Sequence, residues 1–135
     1  MTVSAFRFAI RIYWEDTDAG GVVFYANYLK FFERARTEWL RAAGVQQQAL
    51  RDETGAMFVV AEVQTSYLAP ARLDDEIAVT VAVSELGAAS MVLEQQAWRG
   101  ATLLATGSIR IGCVDGATLR PRRIPAQVVI ALNGA

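Results

Sequence analysis

Hydrophobic and polar residues alternate along "FRFAIRIYW": Phe6, Phe8, Ile10 and Ile12 share one face, Arg7 and Arg11 the other. A period of two marks a half-buried β-strand. Beyond Gly20 and Gly21 the period lengthens. Tyr28, Phe31, Phe32, Ala35, Trp39 and Ala42 recur at steps of three and four, while Lys30, Glu33, Arg34, Thr37 and Arg41 lie opposite. This spacing predicts an amphipathic helix from about Asn27 to Ala43, ended by Gly44. Leu29 and Leu40 broaden its apolar stripe, so it should be more enclosed than an ordinary surface helix. A short helical piece, "VQQQALRDE", follows before Gly55.

Four more strands are expected, at about 57–69, 76–86, 90–99 and 102–114. Ile77, Val79, Val81 and Val83 alternate, as do Leu103, Ala105, Ile109 and Ile111, with Gly107 in the fifth place on that face. "LGAA" and "RGA" are short enough for antiparallel hairpins, and the prolines of "RPRRIP" stop the last strand. A doubly wound parallel sheet needs helices between its strands, and this order has none. The expected fold is α+β, an antiparallel sheet of about five strands wrapped around the long helix. An open sheet edge invites another strand, so two such sheets are expected to join in a dimer.

Composition narrows the function. A chain of 135 residues forms one domain, taken here as 1–135. A net charge of -1 gives no pull toward nucleic acid or an anionic membrane. No run approaches the ~20 apolar residues of a membrane span, and "MTVSAFRFAIRIYW" alternates, unlike a secretory signal. A cytoplasmic protein without stable membrane insertion is the expectation. Cys113 is the sole cysteine, so no internal disulfide can form, and with no histidine a His triad, a His-ligated zinc and an imidazole base are excluded.

The chemistry concentrates in "WEDTDAGG". Glu15, Asp16 and Asp18 lie within four residues, with no Lys or Arg in the segment. One reading is a solvated surface turn. Another is catalytic, because the loop enters a helix whose first N–H groups attract negative charge. Such donors polarise a carbonyl, and a carboxylate attacks it or activates water, which are the ingredients of acyl transfer. Gly20 and Gly21 let the backbone approach a ligand closely. The rival is a Ca²⁺ or Mg²⁺ site, but the segment lacks the ligand spacing of an EF-hand loop.

The stretch "YWEDTDAGGVVFYANYLKFFERARTEWLR" resembles the hotdog-fold acyl-CoA thioesterases of the 4-hydroxybenzoyl-CoA thioesterase type, closest to the branch associated with the Tol–Pal system. The likeness is ungapped over residues 11–44, continues in "YLAPARLDDEIAVTV" and runs more weakly through "RPRRIP". It implies hydrolysis of a CoA or acyl carrier protein thioester to a carboxylic acid and free thiol, with no metal or redox cofactor. It also implies a homodimer or homotetramer with active sites at a dimer interface. Asp18 matches the family's catalytic aspartate, acting as nucleophile through a mixed anhydride or as general base on water. The backbone N–H of Tyr25 matches the group that polarises the thioester. Val23 and Phe24 would line the approach, and Asn27 would cap the helix or contact substrate. One departure stands out. That branch reads "YHANY" or "YHASY" where this chain reads "FYANY", so Tyr25 replaces a histidine and substrate preference is open.

Two other classes compete: a noncatalytic acyl-thioester-binding or protein-interaction hotdog module, and a hotdog dehydratase, which relies on a histidine absent here. Glu33 and Arg36 also match the family but read as structural, and Arg34 with Glu38 suggests an i,i+4 ion pair. Tyr67 reads as packing, and Asp74 and Asp75 as a turn. Arg99, Arg110, Arg120, Arg122 and Arg123 are candidates for CoA phosphates, none of them assigned. Cys113 reads as a packed side chain, and Trp14, Trp39 and Trp98 as core or interface aromatics.

Overall fold

A computed structural model describes residues 6–133 of the chain, so the domain expected over 1–135 extends past the described residues at both ends. Five strands form one antiparallel sheet in the order β1-β3-β4-β5-β2: β1 (Phe6–Arg11), β2 (Ala56–Tyr67), β3 (Glu76–Leu86), β4 (Ser90–Arg99) and β5 (Thr102–Asp115). The hairpins at "LGAA" and "RGA" set neighbouring strands in register, with Val83 opposite Leu93 and Ala97 opposite Ala105. Register shifts between Val60 and Glu62, Val83 and Glu85, and Ala97 and Trp98 are β-bulges. Bulges bend and twist a strand, which lets the sheet curl around a helix.

That helix is α1 (Asn27–Ala42). Tyr28, Phe31, Phe32, Ala35, Trp39 and Leu40 are buried along it, whereas Leu29 and Ala42 are exposed. The apolar stripe is therefore narrower than its sequence suggests. Gly44 adopts φ +90 just past the helix, a left-handed conformation that favours glycine. On the sheet side, Val79, Val81, Leu93, Ala97, Ala105, Ile109 and Ile111 form the opposing wall of the core. Gly107 lies directly beneath the Phe32 ring, where a Cβ would come within 2.9 Å of Cε2. This absence of a side chain lets the helix settle onto the sheet.

The expected ion pair of Arg34 with Glu38 does not form. Glu38 instead pairs with Arg41 at 2.6 Å, the order in which the acid precedes the base, which agrees with the helix dipole. Trp14 is 80% exposed and so lies outside the core, while Trp39 is buried and Trp98 half-buried. The short helix α2 (Gln47–Thr54) ends at Gly55 with φ 78. The sequence pattern assigns no element after "RPRRIP", yet α3 (Ala126–Asn133) forms there and buries Val128 and Leu132. Among the described residues no helix is long and apolar enough to cross a membrane.

Candidate active site

The three acids of "WEDTDAGG" have three different environments. Trp14–Asp16 forms a single 3-10 turn in which the Asp16 carboxylate accepts the Tyr13 N–H at 2.8 Å. The Asp16 carbonyl accepts the Phe24 N–H and the Asn27 side-chain N–H, both at 2.9 Å. Asp16, only 6% exposed, thus ties the end of β1 to the start of α1. Glu15 is exposed.

From Asp16 the chain makes a miniature hairpin. Thr17 bridges Val23, the Asp18 N–H donates to the Val22 carbonyl at 2.9 Å, and the Gly21 N–H donates to the Asp18 carbonyl at 3.0 Å. Asp18 is at the tip, exposed, with Oδ1 accepting the Gly20 N–H at 2.8 Å. Its second oxygen, Oδ2, has no partner among the described residues. Gly21 requires glycine for its φ of 80, and a Cβ on Gly20 would press on Asp18 Oδ1 at 3.2 Å. The glycine pair therefore shapes the turn that presents Asp18. Val22 bridges Arg72 and the Val23 N–H donates to the Ala71 carbonyl, which anchors the hairpin to the loop before β3.

The helix mouth is narrower than the sequence suggests. The Asn27, Tyr28 and Leu29 N–H groups donate to the carbonyls of Phe24, Tyr25 and Ala26 at 2.9, 3.3 and 3.1 Å. No acceptor among the described residues takes the N–H of Tyr25 or Ala26. Asn27 is not the cap: Ala26 holds that position without a side-chain bond, and the Asn27 amide is spent on Asp16. A cleft of about 280 Å³ opens beside this first turn, bordered by Val23, Tyr25, Tyr28, Tyr67, Leu68 and Pro70. Phe24 stands at its margin, its ring 5.0 Å from that of Tyr25. Tyr67 stacks edge-on against Tyr25 at 5.7 Å and meets Tyr28 at 5.6 Å. The expected Val23, Phe24 and Tyr25 are thus gathered at one place.

Glu33 and Arg36 lie elsewhere. They border a more enclosed cavity of about 140 Å³ between α1 and the sheet, walled by Trp39, Phe58, Leu93 and Ile111. Arg36 donates to Gln95 Oε1 at 3.0 Å, and Gln95, 1% exposed, donates in turn to the Phe32 and Thr80 carbonyls. Burial lowers the Arg36 pKa, partly offset by the charge of Glu33. Sequence reading passed over Gln95, although it shares the alternating face of Met91, Leu93 and Ala97. It also read Tyr28 as a core aromatic only, and Asp16 only as one of a set of acids.

Several arginines are already engaged. Arg99 bonds the Pro70 carbonyl and Asp75, Arg122 bonds the Thr54 carbonyl, and Arg110 faces Glu62 at 3.8 Å. Arg120 and Arg123 are exposed. Asp75 also accepts the Arg72 N–H, and Asp74 has φ 73, so both serve the turn before β3. Among the described residues no group of three or more His, Cys, Asp or Glu side chains is placed to hold a metal ion.

The profile of the thioesterase-like superfamily matches residues 12–132. The acyl-CoA thioesterase YbgC of Haemophilus influenzae is 41% identical over 133 residues, covering 98% of each chain. The acyl-CoA thioester hydrolase YbgC of Escherichia coli O6:H1 is 42% identical over 130 residues, 96% of each. The crystal structure of a probable thioesterase from Bartonella henselae superposes with a TM-score of 0.85 at 33% identity, covering 90% of this chain and 100% of that one.

Proposed function

This chain belongs to the thioesterase-like superfamily and is a thioester hydrolase, and from that premise we propose that it cleaves acyl-CoA through Asp18 and the backbone of Tyr25. The Tyr25 N–H, at the positive end of α1, donates a hydrogen bond to the thioester carbonyl oxygen and leaves the carbon electron-poor. Asp18 attacks that carbon or takes a proton from the attacking water. The carbon–sulfur bond breaks, and water supplies the second oxygen of the acid and the proton of the thiol. The observation that carries this reading is the one-sided hold on Asp18: the turn fixes Oδ1 and leaves Oδ2 without a partner among the described residues. Val23 and Phe24 flank the approach, Gly20 and Gly21 act by shaping the turn, and Asn27 acts by fixing the helix start.

The identity to the YbgC proteins supports placing the chain in the Tol–Pal-associated branch. We take residues 1–135 as a single cytoplasmic domain, with acyl carrier protein as the second thioester carrier to be tried. The working unit is a homodimer or homotetramer. What supports this is β2, twelve residues long on the edge of the sheet, because a long edge strand exposes a row of backbone groups.

The test is a thiol-release assay over short-chain, long-chain and aromatic CoA esters, with Asp18→Asn alongside. Asparagine keeps an acceptor for the Gly20 N–H, so the variant should fold normally while kcat drops by roughly 10³-fold or more. Full activity in that variant rejects the assignment. A single turnover in ¹⁸O-water then tests the nucleophilic role, since label in the Asp18 carboxylate requires an anhydride opened by water at its aspartyl carbon.

A further inference from the structure

Tyr28 combines two properties that are rarely found together. Its side chain is 97% buried by its relative exposure of 3%, yet its hydroxyl has no hydrogen-bond partner among the described residues. The Ala71 backbone lies close to that oxygen without completing a hydrogen bond. Leaving a buried hydroxyl unpaired costs about 1–3 kcal/mol, so a group with this geometry calls for a reason. Its position supplies one. Tyr28 sits one turn after Tyr25, and helical side chains tilt toward the N-terminus, back over the preceding turn. Both residues border the same cleft, whose other walls are Val23, Leu68 and Pro70.

We propose that the Tyr28 hydroxyl donates a hydrogen bond to the thioester carbonyl oxygen, as a second donor beside the Tyr25 N–H. The role presupposes the hydrolysis proposed above. A carbonyl oxygen has two lone pairs, and two donors aimed at it stabilise the negative charge that develops as the carbon becomes tetrahedral. The ring is held for this by Phe31, edge-on at 5.7 Å, and by Tyr67. Burial pushes the phenol pKa up, with the Ala71 backbone pulling the other way, so the hydroxyl keeps its proton and stays a donor wherever the enzyme works.

Tyr28→Phe removes the hydroxyl alone. Turnover of acyl-CoA should fall by about 10- to 100-fold, with a melting midpoint equal to or above that of the parent, because an unpaired buried group has been deleted. A lower midpoint or a failure to fold, or unchanged turnover, would overturn the proposal by making the hydroxyl structural or idle. A second measurement needs no turnover. In the Asp18→Asn background, calorimetry compares binding of an acyl-CoA with that of a thioether analogue lacking the carbonyl. Tyr28→Phe should weaken the thioester several-fold and leave the thioether unchanged. Equal weakening of both assigns the hydroxyl to an amide of the pantetheine arm and sinks the proposal. If the parent chain releases no thiol from any ester, the hydrolase reading fails, while this binding comparison still decides the role of Tyr28.

Discussion

Replacing Gly107 by alanine tests whether the fit between α1 and the sheet is as close as its geometry indicates. An added Cβ would lie 2.9 Å from Phe32 Cε2, 3.3 Å from Cδ2 and 3.2 Å from Ile109 Cδ1. Carbon atoms rest at about 3.5–4.0 Å, so the Phe32 ring must retreat by roughly 0.6–1 Å. Phe32 is fully enclosed and a packed core resists such a shift, at a cost of about 1–3 kcal/mol. Alanine also restricts the unfolded chain, which returns about 0.4–1 kcal/mol. The net expectation is a loss of about 1–2 kcal/mol. With an unfolding entropy of about 2.1 cal/mol/K per residue, a chain of 135 residues should lose about 3–7 °C in melting midpoint. Urea titration with an unchanged slope would confirm that the effect is on stability. In a Phe32→Leu background the alanine should cost less, which a double-mutant cycle reads directly. A variant as stable as the parent would refute the reasoning.

Two further expectations concern groups away from the cleft. The Thr118 and Ala117 N–H groups donate to Asp115 Oδ1 at 3.0 and 2.9 Å, and they hold its carboxyl below the ordinary value. A depressed folded pKa stabilises above the unfolded value of about 3.9 and is lost as pH falls through the folded one. Asp115→Asn should therefore lower the melting midpoint at pH 7, and the gap from the parent should close as pH falls through the carboxyl's depressed folded-state pKa; a constant gap would refute the linkage. Burial pushes the Cys113 thiol up, against the charge of Arg122, and Cys113 is 1% exposed. At pH 8 the folded protein should resist a disulfide thiol reagent that labels the unfolded chain fully, and rapid labelling of the native state would contradict this.

The strand and helix boundaries were legible because each element buries one face, and burial of one face leaves a period in the sequence. The observed β3, Glu76–Leu86, and β4, Ser90–Arg99, coincide with the expected 76–86 and 90–99. The misses share a cause. Helix α3 is short and apolar on several sides, "AQVVIALN", so it carries no period to read. Ala42 and Leu29 fit the apolar stripe, but nothing among the described residues covers them. The Asn27 side chain is a helix-capping type, yet a carbonyl eleven residues away claims it.

The order of elements, the hairpins and the single helix across one antiparallel sheet followed from the chain itself, since local periodicity and turn chemistry operate between near neighbours. The acids of "WEDTDAGG" show the other limit. As a string they are three equivalent carboxylates. Folding buries Asp16 as a tie, leaves Glu15 in solvent, and presents Asp18 with one oxygen held and the other without a partner among the described residues. Likewise, only the packing of α1 near the Ala71 loop makes Tyr28 a buried hydroxyl without a partner among the described residues. Burial and hydrogen bonding depend on what comes close in space, and that is set by the whole fold.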